Sequence, residues 1–529
     1  MKLKMILAMV CGSLMLGGCA GLKTGDTVVQ AKDTGVQAKS VATGGQTFDY
    51  EIKPTIDDNF KLAKYRLWLP GNDKKLKGIL TLVPGANGDG LYLAEDPKWR
   101  KFAVENNFAL VSLYMLNRSE KKADGTDHPY YFEPKWGTGQ ALLNAFAHFG
   151  KVAGKPEMAQ LPTLMWGHSA GGQFNYGFAS WAPERVIAFT AIKGGYYLPE
   201  AQAATMQVPA LFLTGELDIQ RRIDGIHKVV EKYRAKGALW ASAQEVHGGH
   251  GPGHTDDLIV PFFQKMVDAR LPESVNSYRD IIELRAGKGW MADNDSFKLT
   301  HSSSQNLVNP GLSWLVDFEF AQQWQAFSSR KGNESGVLEH YTLAHKHAEL
   351  DKRTTDNEKL LLPIMNVSRN ATVLAVQLGN EHISQLMKNV VGKGGKLHKT
   401  NFISLVNGDT SLPDNSIDSV VLLDNYQQLV KTDIDRKLLL AKIYRLIKPS
   451  GTLTIIGDEG DEKSKPGEFN RVYWKLVSDE ALATGLGWDI ANTDLENKQD
   501  NLLAPPNMAE QPTSKYVFRF TKMPFSTKL

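Results

Sequence analysis

Cysteine is almost missing from this chain: only Cys11 and Cys19 occur among 529 residues. That excludes a disulfide framework for the body of the protein and any metal site built on thiolates. An excess of one charge is missing too. With 61 Lys and Arg against 58 Asp and Glu, the formal charge is +3. Phosphate binding needs a concentrated basic face, so nucleic acid is not an expected partner. No apolar run after residue 18 has the length to cross a bilayer. What is there, 42% hydrophobic and 22% charged residues, has the balance of a globular protein. Its length calls for two or more folded units.

The first residues follow a different pattern. Lys2 and Lys4 precede an apolar run from Met5 to Leu16 that is short for a spanning helix. With Gly12, Gly17 and Gly18, the segment reads as a secretory signal peptide. Its end, Leu16-Gly17-Gly18-Cys19, resembles the lipobox of bacterial lipoproteins. The resemblance implies cleavage before Cys19 and a diacylglycerol on its thiol. Each methylene buried by such an anchor contributes about 0.8 kcal/mol. Ala20, rather than an aspartate, follows Cys19, which by the same resemblance implies the outer membrane. The expectation is a lipid-anchored cell-envelope protein. Its signal peptide is residues 1–18, and residues 19–47 form a flexible tether rich in Thr, Gly, Gln, Lys and Val.

From Phe48 onward the pattern alternates between strand and helix. Tyr65 to Leu69, Gly78 to Val83, Phe108 to Leu113, Pro162 to Trp166, Val186 to Ile192 and Pro209 to Thr214 read as strands, mostly buried. Gly139 to Phe149 has helical spacing, with Leu142, Leu143 and Phe146 along one face. This alternation predicts a mostly parallel sheet covered by helices. From Leu271 to Gly332 the sequence is less regular, and Trp290, Trp314 and Trp324 are expected to pack as a small extension. A linker is expected around Ser329 to Ser335, where polar residues cluster. A helical-looking segment from Val337 to Leu362 and a second α/β alternation from Val373 follow. The expected domains are residues 48–332 and 337–522.

Gly167-His168-Ser169-Ala170-Gly171 matches the G-x-S-x-G nucleophile elbow. A serine in a strained turn between strand and helix needs glycines beside it so that the backbone can pass. An apolar strand leads in, and Gly172 to Ser180 can form the helix leading out. Chain order then predicts an acid after a later strand and a histidine after the last one. Asp218, in Gly215-Glu216-Leu217-Asp218, is the expected acid, with Glu216 the alternative. Asp224, Asp256 and Asp257 read as surface or capping residues. His247, His250 and His254 share one glycine-rich loop. His250 is the expected base, flanked by Gly249 and Gly251 so that it can reach Ser169, and the other two are possible substitutes. Three histidines could instead bind a metal, but no thiolate or helical spacing supports that, and neither metal nor cofactor is expected. The N–H groups of Ala170 and of Ala86, in Pro84-Gly85-Ala86-Asn87-Gly88, are the expected oxyanion donors. Asn87 and Asp89 could simply form the turn.

The elbow, extended to Gly172-Gln173-Phe174, together with Pro183-Glu184-Arg185 and Lys193-Gly194-Gly195-Tyr196-Tyr197, resembles secreted α/β-hydrolases related to polyhydroxyalkanoate depolymerases and dienelactone hydrolases. The resemblance covers Phe48 to Gly332. It implies an ester or related acyl substrate, small or polymeric. Tyr130, Tyr131, Trp136, Tyr196 and Tyr197 are candidates to line an apolar cleft.

Ala371 to Asn380, Leu412 to Val421, Ile443 to Leu453 and Val517 to Phe520 resemble blocks of class I S-adenosylmethionine-dependent methyltransferases. That implies a Rossmann-like α/β domain after the hydrolase fold. The cofactor loop keeps only Gly379, and Lys396 to Ile403 offers no acid for the ribose hydroxyls. The domain therefore reads as degenerate, structural or ligand-binding. Two alternatives to a serine hydrolase stay open: a methyltransferase with an accessory hydrolase domain, and a non-catalytic envelope-binding protein.

Overall fold

Runs of apolar residues without alternation become the middle of a sheet covered on both faces, and runs that alternate go to its edge. In the computed structural model, residues 45–329 and 361–522 are described, apart from 123, 124, 199, 304, 363, 369, 493–499, 501 and 509–512. The signal segment, Cys19, nearly all of the tether and most of the segment from Val337 to Leu362 lie outside the described residues.

Eight strands make the first sheet: β1 (Gln46–Ile52), β2 (Phe60–Leu69), β3 (Gly78–Val83), β4 (Phe108–Asn117), β5 (Thr163–Gly167), β6 (Val186–Ile192), β7 (Ala210–Gly215) and β8 (Trp240–Glu245). Their spatial order is β1-β2-β4-β3-β5-β6-β7-β8. Every residue of β3, β5, β6 and β7 is buried, as parallel strands between two helical layers must be. β2 runs antiparallel to β1 and β4, and the strands from β4 to β8 are parallel. Helices α1 (Pro97–Asn106), α2 (Thr138–Val152), α3 (Ala170–Trp181), α4 (Ala203–Met206), α5 (Gln220–Arg234) and α6 (Asp256–Arg270) connect them. This order and polarity are those of the α/β-hydrolase fold. Strand β1 leaves little trace in the sequence pattern, because its alternating residues bury one face only. Tyr50 on that face stacks on His148 of α2 at 3.7 Å.

The extension after α6 is a three-stranded sheet, β9 (Trp290–Asp293), β10 (Leu299–His301) and β11 (Leu312–Leu315), followed by α7 (Phe318–Ser328). Trp324 seals it to the first sheet, donating its indole N–H to the Ser242 carbonyl at 2.6 Å.

The C-terminal region, residues 361–522, has six strands: β12 (Thr372–Val376), β13 (Lys396–Thr400), β14 (Ile417–Leu423), β15 (Ile447–Asp458), β16 (Leu486–Asn492) and β17 (Lys515–Lys522). Their order is β13-β12-β14-β15-β17-β16, parallel except for β17, which is antiparallel to both neighbours. That is a Rossmann-like sheet of the methyltransferase type. Its core is built from Leu374, Val420, Ile443, Leu453, Ile455 and Phe520. Strand β16 lies at the edge, and the register slips between Trp488 and Ile490, so Asp489 is a bulged residue.

Candidate active site

Ser169 sits where β5 turns into α3, with φ 54° and ψ −119°, a conformation that side chains other than glycine rarely adopt. Two glycines make this turn possible by close approach. A methyl group on Gly171 would lie 2.2 Å from the Val83 carbonyl oxygen, and one on Gly167 would lie 2.4 Å from the Gly171 carbonyl oxygen. The Ser169 N–H is tied to the Ile192 carbonyl at 2.7 Å, which anchors the strained residue to β6.

Asp218 follows β7 and His250 follows β8, so parallel strands deliver both to the same edge of the sheet as Ser169. His250 Nε2 lies 3.1 Å from Ser169 Oγ, and His250 Nδ1 lies 2.9 Å from Asp218 Oδ2. The other Asp218 oxygen accepts the Ile219 N–H at 2.7 Å and an Arg222 guanidinium N–H at 2.8 Å. Burial works to raise the Asp218 carboxyl, but its bonds to His250 and Arg222 prevail and hold it at about 2. Burial lowers His250, Asp218 pulls it back, and the net direction is down, so the imidazole is neutral and available as a base at neutral pH.

The remaining sequence candidates fall elsewhere. Glu216 accepts the His247 N–H at 2.9 Å and so supports the start of the histidine loop. His247 has φ 57° and faces Arg519, while exposed His254 lies 3.7 Å from Asp257. Asp224 accepts from the Gln220 amide at 2.8 Å on the surface. Asp256 departs from the surface reading: it is largely buried, accepts the Trp166 indole N–H at 2.7 Å and pairs with Lys98. Among the described residues, no group of three or more His, Cys, Asp and Glu side chains is arranged to hold a metal.

Ala170 opens α3, and Ala86 lies in the turn after β3. The neighbouring Gly85 packs against Ser169, since a methyl group there would lie 3.5 Å from Ser169 Cβ. Asn87 Oδ1 accepts the Asn117 N–H at 2.9 Å and Asp89 Oδ1 the Leu91 N–H at 3.0 Å, so both shape the turn. The five aromatic candidates separate into two groups. Tyr131 and Tyr197 are packed inside, Tyr197 against Tyr176 and Phe212. Tyr130, Trp136 and Tyr196 are exposed, and Phe132 bridges Tyr130 and Tyr196 with ring centroids 4.9 and 5.7 Å away.

Several residues at the site carried no sequence signal. His168, within the elbow, places Nε2 2.6 Å from the His250 carbonyl, which can only accept, so Nε2 carries the proton. Burial pushes His168 down to about 3 and keeps it neutral. Lys193, after β6, is fully buried and donates to Glu245 Oε2 at 2.6 Å and to the Gly251 carbonyl at 2.5 Å. A buried lysine among glycines after a strand could have raised suspicion, but its partners lie more than 50 positions away.

The C-terminal loop after β12 does not fit S-adenosylmethionine. Gly379 has open space around its missing side chain, so nothing there requires a glycine. Gln377 instead takes φ 48°. Glu381 pairs with Lys399 at 3.1 Å, and Asn401, after β13, caps the next helix through the Ser404 N–H at 2.8 Å. No acid at that strand end is placed for ribose hydroxyls.

No protein-family model and no curated protein matches the chain. Several solved structures are similar to parts of the chain. An S-formylglutathione hydrolase from Agrobacterium tumefaciens is 15% identical and covers 44% of this chain and 98% of its own, with a TM-score of 0.33. A poly(3-hydroxybutyrate) depolymerase from Bordetella parapertussis is 15% identical and covers 45% and 92%, with a TM-score of 0.32. A SAM-dependent methyltransferase from Aquifex aeolicus is 18% identical and covers 34% and 97%, with a TM-score of 0.24.

Proposed function

We propose that this chain is a lipid-anchored cell-envelope serine hydrolase that cleaves an ester or related acyl bond through an acyl-enzyme. The observation that carries the reading is the unbroken relay of Ser169 Oγ, His250 Nε2, His250 Nδ1 and Asp218 Oδ2, with separations of 3.1 and 2.9 Å. Asp218 fixes the proton on Nδ1, so Nε2 faces the serine as an acceptor. The Ser169 proton passes to Nε2 as Oγ bonds to the substrate carbonyl carbon. The resulting oxyanion is taken by the N–H groups of Ala170 and Ala86. Collapse expels the alcohol or amine, which receives the proton from His250. A water molecule, deprotonated by the same nitrogen, then releases the acid and restores Ser169. The exposed rings of Tyr130 and Tyr196, joined through buried Phe132, suit an apolar or polymeric acyl chain.

The test is labelling with a fluorophosphonate beside a Ser169→Ala control. Labelling of the parent alone supports an activated serine, and an unlabelled, folded parent refutes it. Anchoring rests on the Leu16-Gly17-Gly18-Cys19 segment and is tested by incorporation of a labelled fatty acid in cells. A Cys19→Ala variant that still incorporates it would overturn the anchor.

A further inference from the structure

The histidine loop is held from two sides, and one of them belongs to the C-terminal region. From the hydrolase fold, His168 donates to the His250 carbonyl at 2.6 Å, Lys193 to the Gly251 carbonyl at 2.5 Å and the Leu217 N–H to the Gly248 carbonyl at 2.8 Å. From the C-terminal region, the Asp489 carbonyl accepts the His250 N–H at 2.6 Å, and Asp489 Oδ1 accepts the Gly251 N–H at 2.9 Å. Arg519 donates to the His247 carbonyl at 3.1 Å and fixes the other Asp489 oxygen at 2.5 Å. Both side chains of this pair are over nine-tenths buried. Asp489 is the bulged residue of edge strand β16, a position that turns an otherwise unpaired backbone group and its side chain towards a neighbouring element.

The glycines of the loop belong to the same arrangement. In the sequence, Gly249 and Gly251 suggest freedom for the loop to reach Ser169, yet neither takes a positive φ. A methyl group on Gly249 would instead lie 2.5 Å from Asp489 Oδ1 and 2.6 Å from its carbonyl oxygen. One on Gly251 would lie 3.1 Å from Oδ1. They are small so that Asp489 can approach. His250 therefore has its side chain fixed by Asp218 and Ser169 and its backbone fixed by a residue 239 positions later, counted from His250 to Asp489.

We infer that the C-terminal region serves as an intramolecular clamp, with Asp489 and Arg519 as positioning residues that set His250 against Ser169. A Rossmann-like region that does not fit its usual cofactor thus has a task that uses only its edge strand β16 and the neighbouring strand β17. The kinetic part of this inference rests on the hydrolase reading; the structural part does not.

The test uses the full soluble chain and the double variant Asp489→Leu/Arg519→Met. Replacing a buried ion pair by apolar residues of similar volume usually preserves folding, but here it removes the acceptor for Gly251 and the donor to His247. With p-nitrophenyl acetate, kcat should fall about a hundredfold, the loss that a displacement near 1 Å produces, while KM stays within about twofold. Asp489→Asn/Arg519→Met, which restores an amide oxygen for the Gly251 N–H and leaves no guanidinium facing the amide NH2, should recover most of that loss. Val477→Ala, in the C-terminal core away from the loop, should lower Tm without changing kcat. Hydrogen exchange at His250 and Gly251, measured on the same samples, should be slow in the parent and fast in the double variant. That readout judges the clamp even if Ser169 proves unreactive, when only the hydrolase reading fails. A folded double variant with parental exchange overturns the clamp. Parental kcat in that variant, or a Val477→Ala variant that loses kcat in the same proportion as Tm, overturns its positioning role.

Discussion

Replacing Asp218 by asparagine separates charge and tautomer from shape. Asp218 Oδ1 accepts two donors, the Ile219 N–H and an Arg222 N–H, at 2.7 and 2.8 Å. An asparagine must therefore place its oxygen there and turn its NH2 towards His250 Nδ1. Two N–H groups cannot face each other, so Nδ1 gives up its proton and Nε2 takes one. Nε2 then points a hydrogen at Ser169 Oγ across the 3.1 Å gap and cannot accept the serine proton. The expected cost is the wrong tautomer plus the lost charge stabilisation of the imidazolium, about 10⁴-fold in kcat, or about 5 kcal/mol of transition-state stabilisation. Hydrolysis of p-nitrophenyl acetate and the rate of fluorophosphonate labelling both measure it, with circular dichroism to establish that the variant is folded. A folded Asp218→Asn protein retaining more than about a tenth of parental kcat would refute the argument.

Other consequences follow from the same geometry. On the proposed mechanism activity requires neutral His250, whose pKa is pushed below its ordinary value chiefly by burial, so the acidic limb of kcat/KM should lie below pH 6.5; a limb above it contradicts the reading. His168 is depressed to about 3, so the unfolded chain binds more protons than the folded one. Its contribution to stability is whole above about pH 6.5 and is lost as pH falls towards 3. Urea unfolding at several pH values should show this slope, and His168→Gln, which keeps a neutral N–H donor for the His250 carbonyl, should flatten it. Lys193→Met leaves the Glu245 carboxylate without its counter-charge, with both side chains at least 96% buried. It should cost about 3–5 kcal/mol in chemical denaturation, and a loss under about 1 kcal/mol would mean that Glu245 finds another partner.

Much of the fold was legible because burial on both faces leaves a local trace. Gly78–Val83 and Val186–Ile192 are unbroken apolar runs in the sequence and strands with the same bounds in the structure. Strand β1 left no such trace, since one face is open and its partner β2 decides its register. The elbow was legible for a local reason too: only a glycine at position 167 leaves room for the Gly171 carbonyl four residues later. The choice among three histidines in eight residues was not local, for the same loop serves all three. Packing decides it, with His250 against Ser169, His247 facing Arg519 and His254 towards solvent.

By itself, then, the sequence determined the strand-and-helix alternation, the strained serine and the chain order of acid and histidine, because periodicity, glycine and turn chemistry act over a few residues. The tertiary structure alone decided what surrounds them. Lys193 meets Glu245 and Gly251 across three strands, and Asp489 meets Gly251 across 238 residues. A hydrogen bond made by two backbone groups, or by one carboxylate with a remote N–H, puts no pattern into the neighbouring residues of either partner. It exists only once two sheets have folded and an edge-strand bulge has been brought against a loop.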